Sequence, residues 1–174
     1  TQSGYTVSDN RTALDADGRL ALELDRAHVF HSWSAQGALS PLVVAGAAGC
    51  EVTLADGRTL LDFSSQLVNT NIGHQHPRVT AAIAEQAGRL ATIAPQHAVL
   101  PRGRAAEAVL RHAPDGFSKV FFTNGGADAN ENALRMARVV TGRDKVVSTY
   151  RSYHGNTGAA VVATGDWRRV PHEY

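Results

Sequence analysis

The chain has 174 residues, 43% of them hydrophobic, enough for one real core and too few for two comfortable domains. Seventeen basic side chains stand against sixteen acidic ones, a net charge of +1, so no field draws the chain to nucleic acid or an anionic membrane. A single cysteine, Cys50, excludes an internal disulfide framework. No apolar run approaches the ~18 residues of a membrane span, and the polar start TQSGYTVSDN does not read as a secretory signal; the expectation is a soluble cytoplasmic protein.

In chain order, an Ala-rich segment around Leu20–His31 predicts a helix. Glu51–Ala55 and Arg58–Asp62 flank Asp56-Gly57, a hairpin signal because both turn residues tolerate positive φ. Pro77 opens a helix over Arg78 to about Leu90, with Val79, Ile83 and Leu90 on one stripe. A further helix follows Pro101, with Ala105, Val109 and His112 on one face, and ends near Pro114-Asp115-Gly116. The texture changes near residue 115 to α/β: a strand at Lys119–Thr123, a Gly-Gly turn and a helix from Asp128 to Thr141 stopped by Gly142. Strands at Lys145–Thr149 and Ala159–Thr164 follow, and the alternation predicts a parallel sheet.

Two segments carry chemistry. Thr123-Asn124-Gly125-Gly126-Ala127-Asp128 places a glycine turn between a strand and a helix start, whose free N–H groups suit a phosphate; the same spacing also serves plain chain reversal. Neither a dinucleotide fingerprint nor a P-loop is present, because the third glycine and the Gly-Lys-Ser/Thr run are lacking. Tyr150 to Thr157 follows the next strand, and ligands of open parallel sheets sit beyond the carboxyl ends of strands. An aromatic ring at Tyr153 suits a flat phosphorylated ligand, or else packs on the core.

Other groupings are set aside. His74-Gln75-His76 lies between Gly73 and Pro77 in a loop without further ligands at metal spacing, so no metal site is assigned. Arg102, Arg104 and Arg111 read as a solvated helix face, and Ser64-Ser65 lacks the Gly-x-Ser-x-Gly context of a hydrolase.

Thr123 to Glu131, with Ala133, Met136, Ala137 and Arg138, resembles the phosphate loop of class III (ω-type) aminotransferases, and Tyr153-His154-Gly155 with Thr157 resembles their Tyr-His-Gly motif. Asp56-Gly57…Leu61-Asp62 and Gly73-His74…His76-Pro77 are similar to their upstream landmarks, and the likeness runs from about residue 28 onward. It implies the α/β fold type I of pyridoxal-phosphate-dependent transferases (aspartate-aminotransferase-like). Residues 1–70 would be an N-terminal segment with the hairpin, part of the small domain and the pocket edge, and 71–174 the start of the large parallel-sheet domain. The implied activity is transamination between a primary amine or ω-amino acid and a 2-oxo acid such as pyruvate, by a homodimer or larger assembly. Gly126 and Ala127 would give backbone N–H groups to the pyridoxal 5'-phosphate, with Gly125 permitting the turn. Tyr153 would lie against its ring and border the substrate, and His154 and Asp128 would support the loops. Ser65, Gln66, Leu67 and Val68 would line the substrate pocket.

The chain departs from the family pattern at Val68, often tryptophan in amine-transferring members, and at Gln66, where glycine is common. Ala94-Pro95-Gln96 replaces a frequently aromatic pair, while Gly125 and Ala127 stand where serine is usual or frequent. Its only lysines, Lys119 and Lys145, begin strands at the edge away from the cofactor, so no Schiff-base lysine, and no catalytic residue, is expected in this stretch. The reading is therefore an amino-terminal part of such an enzyme, inactive alone; the alternative is a non-catalytic phosphate-binding or dimer-forming module.

Overall fold

The structure, a computed structural model, describes residues 14–172. They form two units, one ending at Ile93 and the other beginning at Ala94.

In the first unit, helix α1 (Ala16–His28) starts earlier than expected because the Asp15 side chain caps it, accepting from the Gly18 N–H at 2.7 Å. It ends at His28, where Val29 turns extended. Strands β1 (Val44–Ala48), β2 (Glu51–Leu54) and β3 (Thr59–Leu61) form an antiparallel sheet in that order. The β2–β3 hairpin is the expected one: Gly57 has φ +86°, and the Leu54 N–H donates to Arg58 O at 2.8 Å. Val52 and Leu54 alternate onto the buried face, and a Cβ on Gly18 would stand 2.8 Å from that of Ala55, so α1 lies close against the hairpin. After β3 the chain makes a paired bridge between Gly49 and His74 before helix α2 (Pro77–Arg89), which opens on its proline as expected.

Between β3 and α2 lies an unforeseen feature. Ser65, Gln66, Leu67 and Val68 all have positive φ, 50°, 48°, 59° and 66°. The Val68 N–H donates to Ser64 O at 3.1 Å and the Asn69 N–H to Ser65 O at 2.9 Å. This is one turn of left-handed helix, which costs L-residues roughly 1–2 kcal/mol each. Glycine takes that conformation freely, which makes Gln66 the costlier choice.

The second unit holds α3 (Leu100–Leu110), α4 (Gly126–Thr141) and the short α5 (Gly158–Ala163), then a 3-10 segment over Trp167–His172. Helix α4 starts at Gly126 rather than Asp128 and stops where Gly142 turns left-handed, φ +65°. The expected strand at Ala159–Thr164 is a helix instead. A short Ala/Val run carries no period that separates the two, and here the Val161 N–H closes a helical turn on Thr157 O at 2.7 Å while Ala160 and Val161 go into the core. Lys119–Thr123 and Lys145–Thr149 form no ladder with any described segment, and backbone without a partner strand is not a sheet. Among the described residues, then, the strands are antiparallel ones of the first unit.

Candidate functional site

Residues Gly125 to Ala127 and Tyr153 to Gly155, separate in sequence, meet in the second unit. Gly155, buried and at φ +133°, lies so close to α4 that a Cβ there would stand 2.6 Å from the Ala127 Cβ and 3.1 Å from that of Ala160. Only glycine fits, in both conformation and space. The Asn130 side-chain amide donates to His154 O at 2.6 Å, tying the loop to the second turn of α4. On the other side, the His154 N–H donates to the Thr164 hydroxyl at 3.1 Å, and that hydroxyl donates to Ala160 O at 3.1 Å. Thr164 is fully buried, so one hydroxyl satisfies two backbone groups that water cannot reach.

Glu131 completes the frame. Its Oε1 accepts from the Thr157 hydroxyl at 2.8 Å and from the Ala160 N–H at 3.0 Å, capping the start of α5. These donors, the Ala160 N–H first, outweigh desolvation and hold its carboxyl below the usual range. Gly165 closes the loop base. A Cβ on it would stand 2.0 Å from Thr149 O, and it exchanges hydrogen bonds with Arg151 and Ser152 at 2.9 and 3.0 Å.

Within this frame the turn offers donors. The Ala129 N–H bonds back to Gly125 O at 3.0 Å, which leaves the N–H groups of Gly126, Ala127 and Asp128 as the first-turn donors without a helical acceptor. Cβ atoms at Gly125 and Gly126 would meet nothing within 4 Å, so the space over the turn is open to a ligand. Gly125 itself is extended, φ −175°, a conformation any residue adopts; the turn does not need glycine there, contrary to the role expected from its spacing. Tyr153 is 47% exposed, and the Arg168 guanidinium lies over its ring, 4.6 Å from the centroid. These features suit a flat, phosphorylated group: donors for the phosphate, room above them and an aromatic face on the adjoining loop.

The left-handed turn Ser65–Val68 belongs to the first unit and leaves Leu67 and Val68 91% and 77% exposed. Asp62 organises it. The carboxylate accepts from His74 Nε2 at 2.7 Å, from the Gln66 N–H at 3.2 Å, and at longer range from the Ser64 and Thr70 hydroxyls. Desolvation raises its pKa, but the hydrogen bonds from His74 and Gln66 prevail and hold it below the usual range.

Sequence reasoning overlooked Asn130, Glu131, Thr164 and Asp62 as structural actors. The first two stand in the recognised motif and Asp62 in an upstream landmark, so their presence was visible and their partners were not. Nothing local marked Thr164, since its acceptor and donor lie on different turns of chain.

Comparison with known proteins identifies the family. The family model "Aminotransferase class-III" matches residues 33–173. An acetylornithine aminotransferase of Methanothermobacter thermautotrophicus is 34% identical over 149 residues, covering 86% of this chain and 37% of that protein. The acetylornithine aminotransferase of Mycobacterium bovis is 36% identical over 126 residues, 72% of this chain and 31% of that one. Among solved structures, taurine:2-oxoglutarate aminotransferase from Bifidobacterium kashiwanohense, in complex with PLP and glutamate, superposes with a TM-score of 0.86 at 45% identity, covering 90% of this chain and 35% of that one. An S-selective transaminase from Arthrobacter sp. with alanine bound gives 0.82 at 31% identity, covering 87% and 34%.

The chain belongs to the class III aminotransferase family, and its fold is that of fold type I pyridoxal-phosphate-dependent enzymes. It spans about a third of the length of the relatives it matches.

Proposed function

We propose that the whole protein transfers an amino group from a primary amine, most fittingly an ω-amino acid, to a 2-oxo acid such as pyruvate or 2-oxoglutarate, using pyridoxal 5'-phosphate held at the α4 turn. The carrying observation is the seating of the Tyr153 loop on that turn, with Gly155 against Ala127 and His154 O on Asn130. The choice of donor is supported by the names of relatives, taurine and acetylornithine both offering a primary amine remote from an acid group.

In this reading the Gly126 and Ala127 N–H groups donate to the phosphate, assisted by the positive end of α4. Tyr153 covers the ring and excludes water from that face. His154 works through its backbone, tethering Tyr153 to α4 and to Thr164. Ser65, Gln66, Leu67 and Val68 edge the donor pocket, and Val68 in place of tryptophan leaves room there. When bound, pyridoxal phosphate supplies an electron sink for the charge left on the donor carbon as its proton departs. Lys119 and Lys145 are assigned no part: in sequence they stand six residues before Gly125 and eight before Tyr153. A homodimer in the cytoplasm belongs to the same proposal. Among the described residues no helix is long and apolar enough to cross a membrane.

The test is a donor survey with the cofactor-loaded whole protein. Taurine, β-alanine and an arylalkylamine are each offered with pyruvate or 2-oxoglutarate, and keto-acid amination is followed. Transfer from at least one supports the proposal; absorbance showing bound cofactor with no transfer from any donor overturns it.

A further inference from the structure

We propose that Asp62 is a specificity-positioning residue: its carboxylate holds the Ser65–Val68 turn in its left-handed form and thereby fixes where Leu67 and Val68 stand at the donor pocket. The inference rests on the reading that this turn lines the pocket.

Three observations carry it. First, four successive non-glycine residues occupy a conformation that each disfavours, and no packing within the described residues covers Leu67 and Val68. Within this stretch it is polar contacts that hold the turn. Second, Asp62 is the group placed to do so. It accepts from the Gln66 N–H inside the turn at 3.2 Å and from Thr70 beyond it at 3.5 Å. Third, the carboxylate is itself anchored. His74 Nε2 meets it at 2.7 Å with both side chains well covered, 14% and 4% exposed. His74 in turn is fixed to the sheet through paired backbone hydrogen bonds with Gly49 of 3.0 and 2.7 Å, while Gly73 packs on that same backbone at φ +85°. A chain of contacts thus runs from the rigid hairpin through His74 and Asp62 to the turn. It binds no ligand of its own; it orients the side chains that do.

The cofactor-loaded whole protein is assayed with a small ω-amino acid and a bulky arylalkylamine, and the ratio of their kcat/KM values is the readout. Asp62→Ala should change that ratio by about fivefold or more, chiefly through KM, because the turn relaxes and steric selection weakens. A fall in both kcat/KM values together, with the ratio unchanged, marks a merely structural role and overturns the proposal. Should Asp62→Ala not fold, Asp62→Leu, of similar shape but without an acceptor, decides: a shift of about twofold or more supports the inference and an unchanged ratio sinks it. Leu67→Ala and Val68→Ala separate the two levels. If neither moves the ratio, the pocket reading has failed; if they move it and the Asp62 variants do not, only the positioning role has.

Discussion

Glu131 of α4 and Ala160 of α5 are joined by a hydrogen bond of 3.0 Å from the Ala160 N–H to Oε1, and the same oxygen takes the Thr157 hydroxyl at 2.8 Å. One carboxylate therefore fixes the segment that follows Tyr153-His154-Gly155.

Its removal has a measurable consequence. Glu131→Ala should lower unfolding free energy by about 1–3 kcal/mol, because it leaves the Ala160 N–H without its acceptor; Glu131→Gln, which keeps that acceptor, should lose less. The pH dependence has a definite sign. The folded carboxyl lies below its ordinary 4.5, so its ionised form stabilises the fold above that pH and the benefit fades as acid protonates it. Urea titrations of the whole protein should show wild type more stable than Glu131→Gln near neutrality and the gap closing below pH 4.5. A gap that widens in acid would contradict this assignment.

At the turn, Gly126→Val should leave folding nearly intact, since a Cβ there meets no atom within 4 Å and the helix accepts a branched residue at modest cost. Pyridoxal phosphate should nonetheless bind at least about tenfold more weakly, because the side chain fills the space over the first-turn donors. Spectral titration with the cofactor decides it, and affinity within about threefold of wild type would remove the phosphate from this turn.

Tyr153→Phe should keep most activity and cofactor affinity, and Tyr153→Ala should lose about tenfold or more in kcat, since the ring face rather than the hydroxyl is what the proposal uses. Equal damage from both substitutions, in steady-state assays at saturating cofactor, would shift the role to the hydroxyl.

Lys119→Arg and Lys145→Arg, alone and together, should leave turnover of the whole protein within about twofold, an expectation that follows from placing both upstream of the turns. Borohydride reduction with cofactor followed by peptide mapping provides the second reading. Label on either lysine that vanishes in Tyr153→Ala would show that the lysine belongs to the site.

Local signals were readable where a single residue decides the backbone. Asp56-Gly57, Pro77 and Gly142 announced the hairpin, the start of α2 and the end of α4, since each acts through its own φ. The motif segments were readable as a joint pattern, and the structure adds how two of them are fastened together. Hidden were the features set by partners distant in sequence. The Ala159–Thr164 run looked like a strand because its apolar stretch has no distinguishing period, and Glu131 decides otherwise from α4. The left-handed turn was invisible for the same reason: Ser-Gln-Leu-Val has no preference for positive φ, and the contacts made by Asp62 come from outside it.

The close seat of Gly155 on Ala127 also bears on how this loop changes in descent. A serine at 127 would add an oxygen on the very atom that a Cβ at Gly155 would meet. Such a change is accommodated by a rotamer aimed away from the loop, a shift of the loop or a smaller neighbour at Ala160. Side-chain volumes at 127 and 160 should therefore covary across the family while 155 stays glycine. A phosphate loop transplanted from a relative without its Tyr-His-Gly partner would arrive with mismatched bulk.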